Sequence, residues 1–289
     1  MRKTSKSNTF RKNYLMASET NYKRLEPWIE AHQSKGKLSF SLNELRHHFK
    51  QDSETALKQL LERLTRNEKL VSVFKGYYVI IPPQYSSKGI LPPSLFIDGL
   101  MKFLERKYYV GLLSAAALHG ASHQQPQEYF VVTEYPVMRP TSKKGIKINY
   151  ISTKQLPPES LIEKKKTEAG YISVSSPILT SMDLINYEKR IGGLNRATTV
   201  ITELAENIKP KDINEVLINY ASAATLQRLG YILDEILNRN ALAEKIHKQC
   251  RKAGKTFYQI PLKASGKWQK EQINEKWRLM INAKIETDF

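Results

Sequence analysis

The sequence predicts an α/β (α+β) protein in two parts, a small module of helix, strand, helix, helix and hairpin followed by a larger mixed α/β domain. Three observations carry that expectation. Leu57, Leu60, Leu61 and Leu64 form a stripe at helical spacing, β-rich runs flank the dipeptide Lys75-Gly76, and strand-like runs alternate with helical ones beyond residue 91. At 289 residues, 40% of them hydrophobic, the chain has the length and apolar content for about two domains.

From Met1 to about Tyr22, Arg2, Lys3, Lys6, Arg11 and Lys12 stand among Ser, Thr and Asn with little to bury. This segment, 1–22, is expected to be a basic flexible arm. The small module spans 23–90. Leu25, Trp28 and Ile29 give one apolar helix face, with Pro27 early, where a first turn tolerates it. Leu38-Ser39-Phe40 reads as a short strand, and Ser41 with Glu44 three residues on makes a capping box. The helix it opens carries Leu42, Leu45 and Phe49 inward and stops near Lys50-Gln51-Asp52. Asp52 or Ser53 then caps a helix that runs to about Asn67. Val71, Val73, Tyr77, Val79 and Ile81 favour strand, and Gly76 can take the positive φ of a tight turn.

Helix, strand, helix, three-residue turn, helix and hairpin is the order of a winged helix-turn-helix. In such modules the helix after the turn enters the DNA major groove and the wing crosses the backbone or minor groove. Subtracting the leucines from the helix after the turn leaves a polar face, of which Ser53, Thr55, Lys58, Gln59 and Arg63 are the candidate DNA contacts. Gln can read adenine, and Lys can reach guanine or phosphate. Arg46 on the preceding helix is a candidate phosphate anchor, and Lys75 at the wing tip another. The composition agrees: 46 Lys and Arg against 28 Asp and Glu give +18, with 16 against 8 over Met1 to Ser86 alone. Such a balance points to a polyanionic partner, usually nucleic acid. A merely basic, soluble surface is the plainer alternative. Winged helices also dock proteins, so the fold alone leaves both partner classes open.

Prolines in Ile81-Pro82-Pro83 and Pro92-Pro93 mark a boundary, and 91–289 forms the larger domain. Helices are expected over Ser94 to Lys107, Tyr109 to Ala121, Pro177 to Arg190, Leu194 to Asn207, Ile213 to Asn238 with a break near Ala221, and Ala241 to Ala253. Strands are expected over Tyr129 to Thr133, Ile146 to Ile151, Tyr171 to Val174, Phe257 to Pro261 and Trp277 to Ile285. A single cysteine, Cys250, excludes an intramolecular disulfide and a cysteine-rich zinc site. No apolar run approaches the roughly 18 residues of a membrane span, and the polar start lacks a signal-peptide core, so the expected location is cytoplasmic.

Chemistry is sparse in this part. His119 and His123 lie four apart, but Gly120 intervenes and no HExxH glutamate accompanies them; a helix end with the imidazole on C-terminal carbonyls or packed in the core fits better than a metal. Asp183, Glu188, Arg190 and Arg196 read as a solvated helix face, and Gly192-Gly193 as a break between helices. A nuclease needs paired acids and a lysine on adjacent strands; Glu134 and Lys147 come nearest, without an evident second acid. The expectation is therefore no catalytic residue, no cofactor and no metal.

The N-terminal module, then GYYVIIPPQY, then YYVGLLSAAALHGASHQQPQEYFVVT and finally EKWRLMINAKIETD resemble the AbiEi family, antitoxins of bacterial AbiE toxin–antitoxin and abortive-infection systems, over about Lys23 to Asp288. The arm before Tyr22 departs from the family pattern. The resemblance implies a type IV antitoxin that is not an enzyme. Its winged helix would bind inverted repeats of double-stranded operator DNA and repress its own operon. Its C-terminal domain would counter a nucleotidyltransferase-like toxin without a stable complex. By that likeness Ser53, Thr55, Lys58, Gln59 and Lys75 would contact the operator. A DNA-targeted nuclease and a protein-docking winged-helix module are the alternatives from other classes.

Overall fold

The computed structural model describes residues 25–86, 91–121, 127–264 and 272–286. The predicted arm over 1–22 and His123 lie outside them. The chain divides into two units. Of the described residues, one takes those up to Lys107 together with Arg139–Ile148 and Lys166–Ile172; the other takes those within Tyr108–Met138 and Asn149–Lys165 and those from Ser173 on.

In the first unit the predicted order is observed. Helix α1 covers 25–34 and buries Leu25 and Ile29. Strand β1 (Ser39–Ser41) leads directly into α2 (Leu42–His48), because Ser41 closes the capping box: its Oγ accepts from the Glu44 N–H at 3.1 Å while its own N–H donates to Glu44 Oε2 at 2.6 Å. Of the two caps considered for α3 (Glu54–Arg66), Ser53 is the one used, its Oγ accepting from the Ala56 N–H. All four stripe leucines of α3 are buried, as the 3.6-residue period requires.

Strands β2 (Leu70–Phe74) and β3 (Tyr77–Ile80) close the hairpin over Lys75-Gly76, with Gly76 at φ +78. An added Cβ there would also adopt a φ that L side chains avoid. The antiparallel order is β1-β3-β2. One apolar cluster joins Leu25, Phe40, Leu45, the α3 leucines, Leu70 and Ile80 into a single core, with Trp28 edge-on to Phe40 at 5.0 Å. After α4 (Pro83–Ser86) and a 3₁₀ turn at Pro93–Leu95, α5 (Ile97–Phe103) covers the strands on the Tyr77 side, where the Tyr77 and Phe103 rings lie 5.2 Å apart. A Cβ on Gly99 would overlap the Tyr77 hydroxyl, so this close approach needs glycine.

A six-stranded sheet follows, in the order β6-β7-β5-β4-β9-β8. Strand β4 (Tyr108–Val110) turns at Gly111 into α6 (Leu112–Leu118), and β5 (Tyr129–Glu134) runs antiparallel beside β4. Then come β6 (Thr141–Lys143), β7 (Ile146–Thr153), β8 (Ile162–Thr167) and β9 (Gly170–Ser175), the last parallel to β4. The expected helix over Tyr109 to Ala121 is thus corrected: its first residues are strand. Tyr108, Tyr109 and Val110 are all buried in the middle of the sheet, and burial on both faces erases the alternation that marks a strand.

The second unit continues with α7 (Pro177–Asn186), α8 (Glu188–Ile191), α9 (Leu194–Ala205), α10 (Glu215–Tyr220) and α11 (Ala223–Tyr231). A π-helical stretch, Ile232–Ile236, leads to α12 (Asn240–Lys252). The break expected near Ala221 is real: Ala221 is extended, and Ser222 caps α11 through the Thr225 N–H. The last two expected strands are shorter than anticipated. Ile260–Pro261 (β10) and Ile273–Asn274 (β11) pair on either side of Leu279–Met280 (β12), in the order β10-β12-β11. Trp277 is instead fully buried, its Nε1 donating to Asp234 Oδ2 at 2.9 Å and its carbonyl accepting from Gln227. Side-chain anchoring replaces ladder bonds there.

Candidate nucleic-acid interface

The candidate residues are held by α2, the turn and α3. Leucines pin α3 to the core, so the opposite face must look outward, and Thr55, Lys58, Gln59 and Arg63 are all exposed on it. Ser53 is exposed too, but its Oγ is engaged as the cap of α3. Arg46 is exposed on α2 and lies 2.9 Å from Glu54 at the start of α3. The pair ties α2 to α3 across the turn, and it accounts for Glu54, whose charge would otherwise oppose a phosphate backbone. Lys75 is exposed at the hairpin tip, and the wing is short, since the two-residue turn links Phe74 directly to Tyr77. The tip sits close to α2: the Leu42 N–H donates to Gly76 O at 2.8 Å.

Beside α3 a concavity of about 610 Å³ is lined by Lys58, Leu61, Glu62, Thr65, Arg66, Ser72, Tyr78 and Lys144. Sequence reading did not place Lys144 there. The sequence signal was the dipeptide Lys144-Gly145, the same pair as at the Lys75-Gly76 turn, and the hairpin takes two positive φ angles there, Lys144 at +43 and Gly145 at +78.

The second unit holds polar groups that the sequence reading misjudged. Asp183, expected on a solvated face, is buried, and its Oδ2 accepts from the Tyr109 hydroxyl at 3.0 Å. Burial pushes the Asp183 carboxyl up to about 7, the Tyr109 hydrogen bond pulling the other way. Glu188 is buried as well, and neither of its oxygens has a hydrogen-bond partner among the described residues. Arg190 and Arg196 do lie in solvent. The α7 period explains the error: this helix is buried nearly all round, so a charge on it has no outer face to occupy. Beside Asp183, Gly111 leaves room where a Cβ would meet Val132 at 3.1 Å and Tyr109 at 3.2 Å, and Leu112 takes φ +51, a strained value for a side-chain-bearing residue.

His119 ends α6, as expected, but its Nε2 donates to Ser175 O at 2.7 Å, a carbonyl of β9. Burial lowers its pKa despite that bond. Glu134 and Lys147 are both exposed, and no group of three or more metal-ligating side chains occurs among the described residues. No described helix is long and apolar enough to cross a membrane.

The segment from the Tyr109–Asp183 pair to the end of the π-helical stretch is where comparison with known families decides. Residues 109–235 match the family model of the AbiEi antitoxin C-terminal domain. The resemblance read from the sequence is thereby shown over this stretch, and an AbiEi antitoxin domain supports a place in a toxin–antitoxin system. Comparison with curated proteins gives no match. Among solved structures, the crystal structure of RV2827C protein from Mycobacterium tuberculosis is similar over 87% of this chain and 88% of that one, with a TM-score of 0.62 and 13% identity. At that identity the likeness speaks for the mixed α and β fold.

Proposed function

We propose that the protein is an AbiE-type antitoxin whose N-terminal module is a winged helix-turn-helix that binds inverted repeats in its own promoter and represses the operon. The antitoxin domain match over 109–235 supports the first half of this reading. One observation carries the DNA half. On α3 the buried leucines and the exposed Thr55, Lys58, Gln59 and Arg63 occupy opposite faces of a helix that directly follows a capped turn, in a chain of net charge +18.

In this reading Lys58 and Gln59 face base edges or phosphates, Arg46 and Lys75 contact the backbone on either side, and Ser53 and Thr55 approach with the N-terminal turn of α3. The AbiEi antitoxin domain counters a nucleotidyltransferase-like toxin without a stable complex. The protein acts in the cytoplasm, where its operator lies, and no cofactor or metal enters the mechanism.

The test is a gel shift of the full chain on its own upstream region. Wild type retards the fragment, and Lys58→Ala plus Lys75→Ala weakens retardation at moderate salt, each lost phosphate contact flattening the logarithmic salt slope by about 0.9. An unchanged shift in the double variant sinks the assigned surface. Co-expression with the product of an adjacent nucleotidyltransferase-like gene tests the antitoxin half: growth is rescued by the chain and not by residues 1–107 alone. Metal-dependent cleavage of plasmid DNA would instead favour the nuclease alternative, and binding to protein without a DNA shift the docking module.

A further inference from the structure

The chain holds a second basic hairpin that the DNA reading does not use. Strands β6 and β7 pair antiparallel with Thr141 opposite Ile148, Ser142 opposite Lys147 and Lys143 opposite Ile146. Thr141, Ile146 and Ile148 are buried and anchor one face, while Arg139, Ser142, Lys143, Lys144 and Lys147 are exposed. Although these residues come far along the chain, Arg139–Ile148 belongs to the same unit as α3, and β6 lies against β2. Lys144 reaches the concavity beside α3, where it joins Lys58 and Arg66 against one carboxylate, Glu62. It is held by Glu68, whose Oε1 lies 3.1 Å from Lys144 Nζ; both side chains remain substantially exposed, at 40% for Lys144 and 72% for Glu68. The hydroxyls of Ser72 and Tyr78 line the same concavity.

We infer that the β6–β7 hairpin is a second phosphate-contacting wing, which places Lys143 and Lys144 on the backbone of duplex DNA alongside the Lys58–Arg66 edge of α3. Three cations from two elements face one concavity, with hydroxyl donors between them, and that is the chemistry phosphate oxygens require. Arginine and lysine here would add affinity without adding sequence preference, because phosphates look alike in every sequence. Glu68 acts as a local brake: it occupies Lys144 when no phosphate is present and repels one that approaches. The inference rests on the DNA reading of α3, and the two are separable by experiment.

The experiment measures binding of the full chain to a duplex from its upstream region and to a scrambled duplex between about 50 and 200 mM salt. Lys143→Ala plus Lys144→Ala is expected to reduce the logarithmic salt slope by about 1.8, at about 0.9 for each lost contact, and equally on both duplexes. Lys143→Arg plus Lys144→Arg keeps the slope, which separates lost charge from a damaged hairpin. Glu68→Gln tightens binding to both duplexes. If the alanine pair leaves the slope unchanged while Lys58→Ala flattens it, the hairpin is not a contact and the α3 reading stands. If wild type binds neither duplex, both readings fall together.

Discussion

The hydroxyl of Tyr109 donates to Oδ2 of Asp183 across 3.0 Å, joining residues 74 positions apart in the interior of the stretch that matches the AbiEi antitoxin C-terminal domain. Around them stand Tyr187 and Tyr220, whose phenols burial raises first and the Asp183 charge next. An acid in such a place is a pH-dependent liability. Its carboxyl titrates near 7 in the folded chain and near 3.8 when exposed, so between those values the folded state holds a proton that the unfolded state has released. The contribution of Asp183 to stability therefore falls as pH rises from about 4 to about 7 and is lowest above that range, by an amount on the order of 4 kcal/mol. Asp183→Asn should remove this dependence. Urea denaturation at both ends of the range is the check; parallel pH curves for wild type and variant would refute it.

Gly230 and Trp277 form a lock. A Cβ on Gly230 would run into the six-membered ring of the Trp277 indole, which is fully buried and tethered to Asp234. Trp277→Ala should cost about 3–5 kcal/mol by emptying that site, and Gly230→Ala about 1–3 kcal/mol by overfilling it. Combined with Trp277→Leu, which removes the ring atoms in the way, Gly230→Ala should cost less than it does alone. A double-mutant cycle with additive energies would contradict the geometry.

The two serine caps should differ. Ser41 is buried and bonded in both directions with Glu44, whereas Ser53 is exposed and bonded in one. Ser41→Ala should sit toward the upper end of the roughly 0.5–2 kcal/mol range for a lost cap, and Ser53→Ala toward the lower. Equal losses in chemical denaturation would show that burial of the Ser41 hydroxyl adds nothing, since Ser41→Ala removes only the bond its Oγ accepts and keeps the backbone N–H bond to Glu44.

Arg46 offers a way to part stability from binding. Its pairing with Glu54 is solvent-exposed, with 43% and 78% of the two side chains accessible, so Arg46→Ala should change folding stability by less than about 1 kcal/mol. On the upstream duplex the same change should flatten the salt slope by about 0.9, and Glu54→Gln should tighten binding by freeing the guanidinium. A large fall in melting temperature with no change in slope would make Arg46 a structural residue.

What the sequence determined by itself is what short-range physics controls. The Ser41–Glu44 box, the Ser53 cap, the leucine stripe of α3, the turn at Lys75-Gly76 and the break at Ala221 each depend on residues within a few positions of one another. The resemblance to the AbiEi family was legible for a different reason, because the residues that carry it lie in continuous stretches. Tertiary structure decided the rest. Tyr108–Val110 became a strand only by insertion between β5 and β9, and the lysine-rich β8 was accepted because it lies at the edge of the sheet, where charge is tolerated. Asp183 is interior because α7 is enclosed, not because its own sequence asks for it. Lys144 meets Lys58 and Arg66 for the same reason: local spacing can say which way a side chain points, but only packing between distant segments says what it points at.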